Sequence, residues 1–218
     1  SATLRAPLKI NLDYQDRLLI FDYDRIRRVD TTVTPMTIST IIGGGGLTAD
    51  GTPGTSFSIT HPGSISSQNE KHLTFIVAPN NDIYFNASPG ATLATTYRLR
   101  VYKAATGLVQ TISVSGTGIN VNGAQDITLC GPINLGMTFD PVTAAITRLF
   151  MPFESTGAPC PATGISNIDP VTGLSTAPHP PHSTASTDRY MYKASSKDGS
   201  IYSFYRYTGQ FVKYNPGG

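Results

Sequence analysis

The sequence predicts an all-β protein, on three observations. Strand-like runs recur along the whole chain, short, rich in β-branched and aromatic residues and bounded by turn residues. Helical periodicity is almost absent; only Met137–Phe150 carries it, and Pro141 interrupts that stretch. The 218 residues include 21 glycines and 16 prolines, more than ordinary usage, and these residues punctuate short strands better than they support helices.

The strand-like runs, in order, are 17–21, 73–77, 97–102, 108–114 and 201–207. Asp198-Gly-Ser and Thr208-Gly-Gln read as tight turns around the last of them. Charged residues make up 14% and the net charge is +2. That balance argues against a charge-rich disordered tail and gives no basic field for nucleic acid. No window of about 18 uncharged apolar residues exists, so no membrane span is expected. The opening, Ser1-Ala-Thr-Leu-Arg-Ala-Pro7, shows no charged segment followed by an apolar one, so no signal peptide is read there.

The runs repeat. Asp24-Arg-Ile-Arg-Arg-Val-Asp30 is followed by Ile38-Ser-Thr-Ile-Ile-Gly43, and about seventy residues later Tyr97-Arg-Leu-Arg-Val-Tyr102 is followed by Leu108–Gly116. A weaker copy covers Ser200–Gly209 and Gln210–Tyr214. The first pair exits into Gly43–Gly46 and then Ala49-Asp-Gly51; the second exits into Gly116-Thr-Gly and Asn122-Gly123. The units run over about 1–54, 55–127 and 128–218, the last enlarged by a long loop insertion at 154–188.

This pattern resembles the NHL-repeat β-propellers. Asp24–Asp30 matches the basic strand motif of that family, Ile38–Gly46 its strand exit, and Ala49-Asp-Gly51 with Pro62-Gly63 its linker. The second unit lacks the Asp-Gly pair, and the third keeps only 198–214. The resemblance implies blades of four-stranded antiparallel sheet; about four to eight blades close a propeller, so the three units are expected to be an incomplete ring within this chain, with additional blades in the inserted segments as an alternative. It also implies other polypeptide completing the ring: a second copy, a separate chain or the rest of a precursor. The apolar faces left for that partner are expected at Leu18, Ile20 and Ile26 at one end, and Phe204, Phe211 and Tyr214 at the other.

Candidate sites are few. Cys130 and Cys160 are the only cysteines, and a disulfide pinning the insertion is the favoured reading, with free thiols as the alternative. His179-Pro-Pro-His182 lacks a carboxylate or cysteine partner, so no metal is assigned. Gly43–Gly46 has no following Lys-Ser/Thr, so it reads as a strand exit and not a phosphate cradle. Aspartates 13, 16, 22, 24 and 30, interleaved with arginines 17, 25, 27 and 28, read as ordinary surface pairing. Tyr190, Tyr192, Tyr202, Tyr205 and Tyr207, with Arg206, form the candidate binding surface.

No motif specifies a reaction, a catalytic residue or a cofactor. The sequence therefore predicts a non-catalytic binding or assembly module, secreted or at the cell surface, with a periplasmic location as a variant. The alternative is a propeller lyase or lactonase with a metal in its central channel.

Overall fold

The computed structural model describes residues 3–59, 74–87, 96–112, 115–116, 120–122, 126–128, 135–140, 142–153, 164–179, 190–194, 201–205 and 211–214. Among them the fold is all-β, with no α-helix and a single 3-10 turn at Gly54–Ser56. Its antiparallel sheets of the propeller-blade type fall into two compact units.

Unit 1 comprises 1–94 and 98–111. Its first sheet is a four-stranded meander of β1 (Pro7–Leu12), β2 (Leu18–Asp22), β3 (Arg25–Asp30) and β4 (Thr37–Gly43), each strand antiparallel to the next. The expected strands at 17–21, 24–30 and 38–43 are all present. β5 (Thr52–Pro53) follows, then a second meander of β6 (Phe75–Val77), β7 (Ile83–Ala87), β8 (Thr96–Lys103) and β9 (Leu108–Thr111). β5 pairs with β9, joining Thr52 to Val109. The first strands of the two meanders, β1 and β6, lie against each other, the arrangement of neighbouring blades.

The inner strands β2 and β7 are buried on both faces, at 19–22 and 83–87. Leu19 and Phe21 on β2 and Ile26 on β3 are fully buried, as are Phe57, Phe85 and Leu99. Phe21 stacks on Phe75 with centroids 6.2 Å apart, and Phe57 meets Phe85 edge-on at 6.0 Å. Each such side chain removed from water contributes about 1.5–3 kcal/mol, and each ring pair about 0.5–1.5 kcal/mol more. The strand-exit glycines are fixed by close backbone approach. Gly43 has φ 93°, and a Cβ on Gly45 would collide with the Ser56 carbonyl.

Unit 2 comprises 95–97 and 112–218. β11 (Asn120–Asn122) and β12 (Asp126–Thr128) form a hairpin, and β12 pairs with Thr96 and Tyr97. A third meander follows: β13 (Gly136–Phe139), β14 (Ile146–Phe153), β15 (Gly164–Ile168) and β16 (Leu174–His179). β10 (Ser115–Gly116) runs parallel to β16 at its edge. The last sheet is β17 (Tyr190–Ala194), β18 (Ile201–Tyr205) and β19 (Phe211–Tyr214). β13 and β17, again the first strands, are neighbours.

One interrupted pattern resolves here and one expectation changes. Met137–Phe150 is a strand, a turn and a strand, because Asp140 ends β13 by taking over the backbone hydrogen bonds of the turn. Its Oδ1 accepts from the N–H groups of Val142 at 2.7 Å and Thr143 at 3.1 Å. The stretch 154–188 is also not one loop, since β15 and β16 lie inside it and Ile168 is fully buried. Their hairpin repeats the same device: Asp169 Oδ1 accepts from Val171 at 2.8 Å and Thr172 at 3.0 Å. A turn that satisfies its own amides needs few apolar anchors. The sequence unit 128–218 thus carries two sheets.

Candidate functional site

In unit 1, the turns at one end of the two meanders border an open cavity of about 360 Å³. The β1–β2 turn is built on Asp13, which is 5% exposed. Its carboxylate accepts from the backbone N–H groups of Gln15 and Arg17, both at 2.9 Å, and from Arg17 Nε at 2.7 Å. Burial pushes the Asp13 pKa up, but these hydrogen bonds from Arg17 and Gln15 outweigh it and hold the carboxyl below its usual range.

The β6–β7 turn meets this one directly, through the Tyr14 N–H donating to Asn81 Oδ1 at 3.2 Å. Asn81 has φ 65°, a left-handed conformation that Asn adopts readily. The β8–β9 turn joins through Asp82, which accepts from the Ala104 N–H at 2.9 Å, Lys103 Nζ at 3.0 Å and Asn80 Nδ2 at 3.1 Å. Arg28 of β3, Tyr102 of β8, Gln15 and Arg17 line the space between. The wall is rich in hydrogen-bond donors and holds two guanidinium groups against one buried carboxylate.

Several other described titratable groups of this unit serve the fold. Asp22 accepts from the N–H groups of Arg5 and Ala6, both at 2.8 Å, and pairs with Arg27 at 3.3 Å. Arg100, 3% exposed, pairs with Asp50 at 2.6 Å, hydrogen-bonds Thr111 and the Thr48 carbonyl, and lies over the Phe57 ring. Burial pushes Tyr84 up to about 12, with a smaller contribution from Asp82, and pushes Lys9 down to about 8. The sequence expectation of Asp–Arg pairing is met at Asp13, Asp22 and Asp24, but Asp13 and Asp22 are buried and not on the surface.

The first meander has a second notable surface. Register places Ile10 opposite Ile20 and Leu12 opposite Leu18, so these four share the face turned away from Phe21 and Phe75. Ile10 is 71% exposed and Leu12 54%. Of the residues expected on an open face, Ile26 is wholly buried, because the pleat sends it to the side of Phe21, and Ile20 is nearly buried although it shares the face of Ile10.

The sequence-derived site residues fare unevenly. Tyr190 and Tyr192 stand on β17 and Tyr202 and Tyr205 on β18; Tyr190 pairs with Tyr205, and Lys193 with Tyr202. Cys130, Cys160, Arg206 and Tyr207 lie outside the described residues. Among the described residues no three His, Cys, Asp or Glu side chains converge as a metal site, and no helix is long and apolar enough to cross a membrane. Sequence reading missed the cavity because its wall comes from three turns that only folding brings together. The one available signal was the Asp13-to-Arg17 spacing, which suits a carboxylate-bridged turn.

The sheets are of the propeller-blade type, and the donor-lined cavity lies at the turn end of those in unit 1. No family model matches the sequence, and no curated protein does. Solved structures do match. One is an X-ray structure of a "putative gluconolactonase", at 14% identity and TM-score 0.47, covering 94% of this chain and 61% of that one. Another is an auxiliary nutrient binding protein from Bacteroides ovatus, at 14% identity and TM-score 0.43, covering 99% and 43%. The chain therefore spans less than two thirds of either. The sequence expectation that the chain is not an enzyme is corrected here, since a chain similar to it carries an enzyme's description. At these scores neither likeness carries an activity over.

Proposed function

We propose that the chain is a binding and assembly module on NHL-like propeller blades, its first blade covered by a further blade of other polypeptide. One observation supports this reading: the exposed Ile10 and Leu12, in register with Leu18 and Ile20 on a single face. A blade has two faces to cover, and a row of aliphatic side chains left in water is the signature of a missing neighbour. The covering blade comes from a second copy, a separate chain or the rest of a precursor. The weakly charged composition, with 14% charged residues, supports a secreted or cell-surface setting.

Light scattering across a concentration series tests the reading. The chain is expected to self-associate, or to co-purify with a covering chain, and the double substitution Ile10→Lys, Leu12→Lys is expected to abolish this while circular dichroism stays unchanged. A monodisperse monomer with unaltered behaviour in the double variant refutes the reading. Metal analysis and lactone hydrolysis assays check catalysis separately.

A further inference from the structure

We propose that the cavity at the turn end of unit 1 binds a small molecule through an oxyanion, a carboxylate or a phosphate, with Arg28 as the principal contact. Arg17, Arg25, Arg27 and Arg100 each have a carboxylate oxygen within 4 Å, at 2.7, 2.8, 3.3 and 2.6 Å. The Arg28 side chain, half-buried and lining the cavity, makes no hydrogen bond or ion pair with any described residue. Asp30 feels it only at longer range, and the Asp30 carboxylate is already held by the Thr32 hydroxyl at 2.6 Å and N–H at 2.9 Å.

The rest of the wall favours the same chemistry. Asp13 is consumed by Arg17 and by the turn, so its charge is spent inside the protein. Asn81 uses its Oδ1 on Tyr14, which leaves its amide nitrogen as the group it can offer. A half-desolvated guanidinium presents a planar fork of donors that fits a carboxylate or phosphate edge, and charge-assisted hydrogen bonds of this kind are the strong ones. A volume of about 360 Å³ sits at the small end of ligand pockets, the size for a compact metabolite.

The test titrates the full chain with inorganic phosphate and, separately, with malonate, at ionic strength held constant with chloride, and reads heat and melting temperature. Saturable binding of one probe or both is expected. Arg28→Gln is expected to weaken it about tenfold or more, and Arg28→Lys by less. Asn81→Asp, which keeps the acceptor for Tyr14 and the left-handed turn but adds a negative charge, is expected to weaken it as well. Phosphate alone or malonate alone names the ligand class; both together name an oxyanion site of broad taste. Binding of neither probe, or binding left intact in both Arg28→Gln and Asn81→Asp, overturns the proposal.

Discussion

Lys9 sits on β1, next to the aliphatic row yet on the other side of the strand, opposite Phe21. Burial lowers its pKa from the ordinary 10.5 to about 8, so the folded chain gives up this proton more readily than the unfolded one. Between those two values the unfolded state binds more protons, and this residue's contribution to stability therefore rises with pH through that window. The measurable consequence is a comparison with Lys9→Met by urea denaturation. The difference should move in favour of the native residue as pH climbs from about 8 to about 10.5, and a flat difference would count against the assignment. Neither this lysine nor Gly45 could be singled out beforehand. A run of four glycines announces a strand exit, but which of them is obligatory depends on the Ser56 carbonyl arriving from further along the chain.

Elements were more legible than their ends. β2, β3, β4, β6, β8, β9 and β18 fall on runs that alternate or are rich in branched and aromatic residues. β15 and β16 carry no such pattern, and are set by their turn. The same four letters, Asp-Pro-Val-Thr, stand at 140–143 and 169–172, and both copies close alike. Asp140 N–H donates to the Ala145 carbonyl at 2.9 Å and Asp169 N–H to that of Leu174 at 3.0 Å. Hydrogen bonds from Thr143 and Val142, and from Thr172 and Val171, hold the two carboxyls below the usual range. The copies differ at the fifth position, where Ala144 has φ 58° and Gly173 φ 70°. A Cβ is unwelcome in that left-handed region. Ala144→Gly should therefore stabilise, by up to about 1 kcal/mol after the entropy cost of glycine, and Gly173→Ala should destabilise by a similar amount. Equilibrium denaturation of the two variants decides it; equal effects of one sign would show that the turns are not equivalent.

For the molecule as a whole, the blade class was readable because each meander is local in sequence. Its cavity and its open face were not, since both depend on how separate strands line up. The row of Ile10 and Leu12 came from a strand that no sequence run announced, while Ile20 and Ile26, named in advance, turned out to be buried, on opposite faces of the sheet. If a second copy supplies the blade that covers this row, the melting temperature rises with protein concentration, because association adds to the stability of whatever it binds. The variant carrying Ile10→Lys and Leu12→Lys should melt at one temperature at every concentration.

The pairing of β5 with β9 sets an order of events. All strands within a meander close short loops, but Thr52 must find Val109 across the entire second meander, and Asp50 reaches Arg100 and Thr111 over the same gap. Distant closures carry the larger entropy cost and come after the local ones. The first meander can thus form on a nascent chain before its clasp has been synthesised, and the clasp then reports that the second has arrived. In pulsed hydrogen exchange the amides of β2 and β3 should gain protection before those of Gly51 and Thr111, whose acceptors are the Val109 carbonyl and the Asp50 carboxylate. Protection of all four groups at one rate would mean that both meanders and their clasp form in a single step.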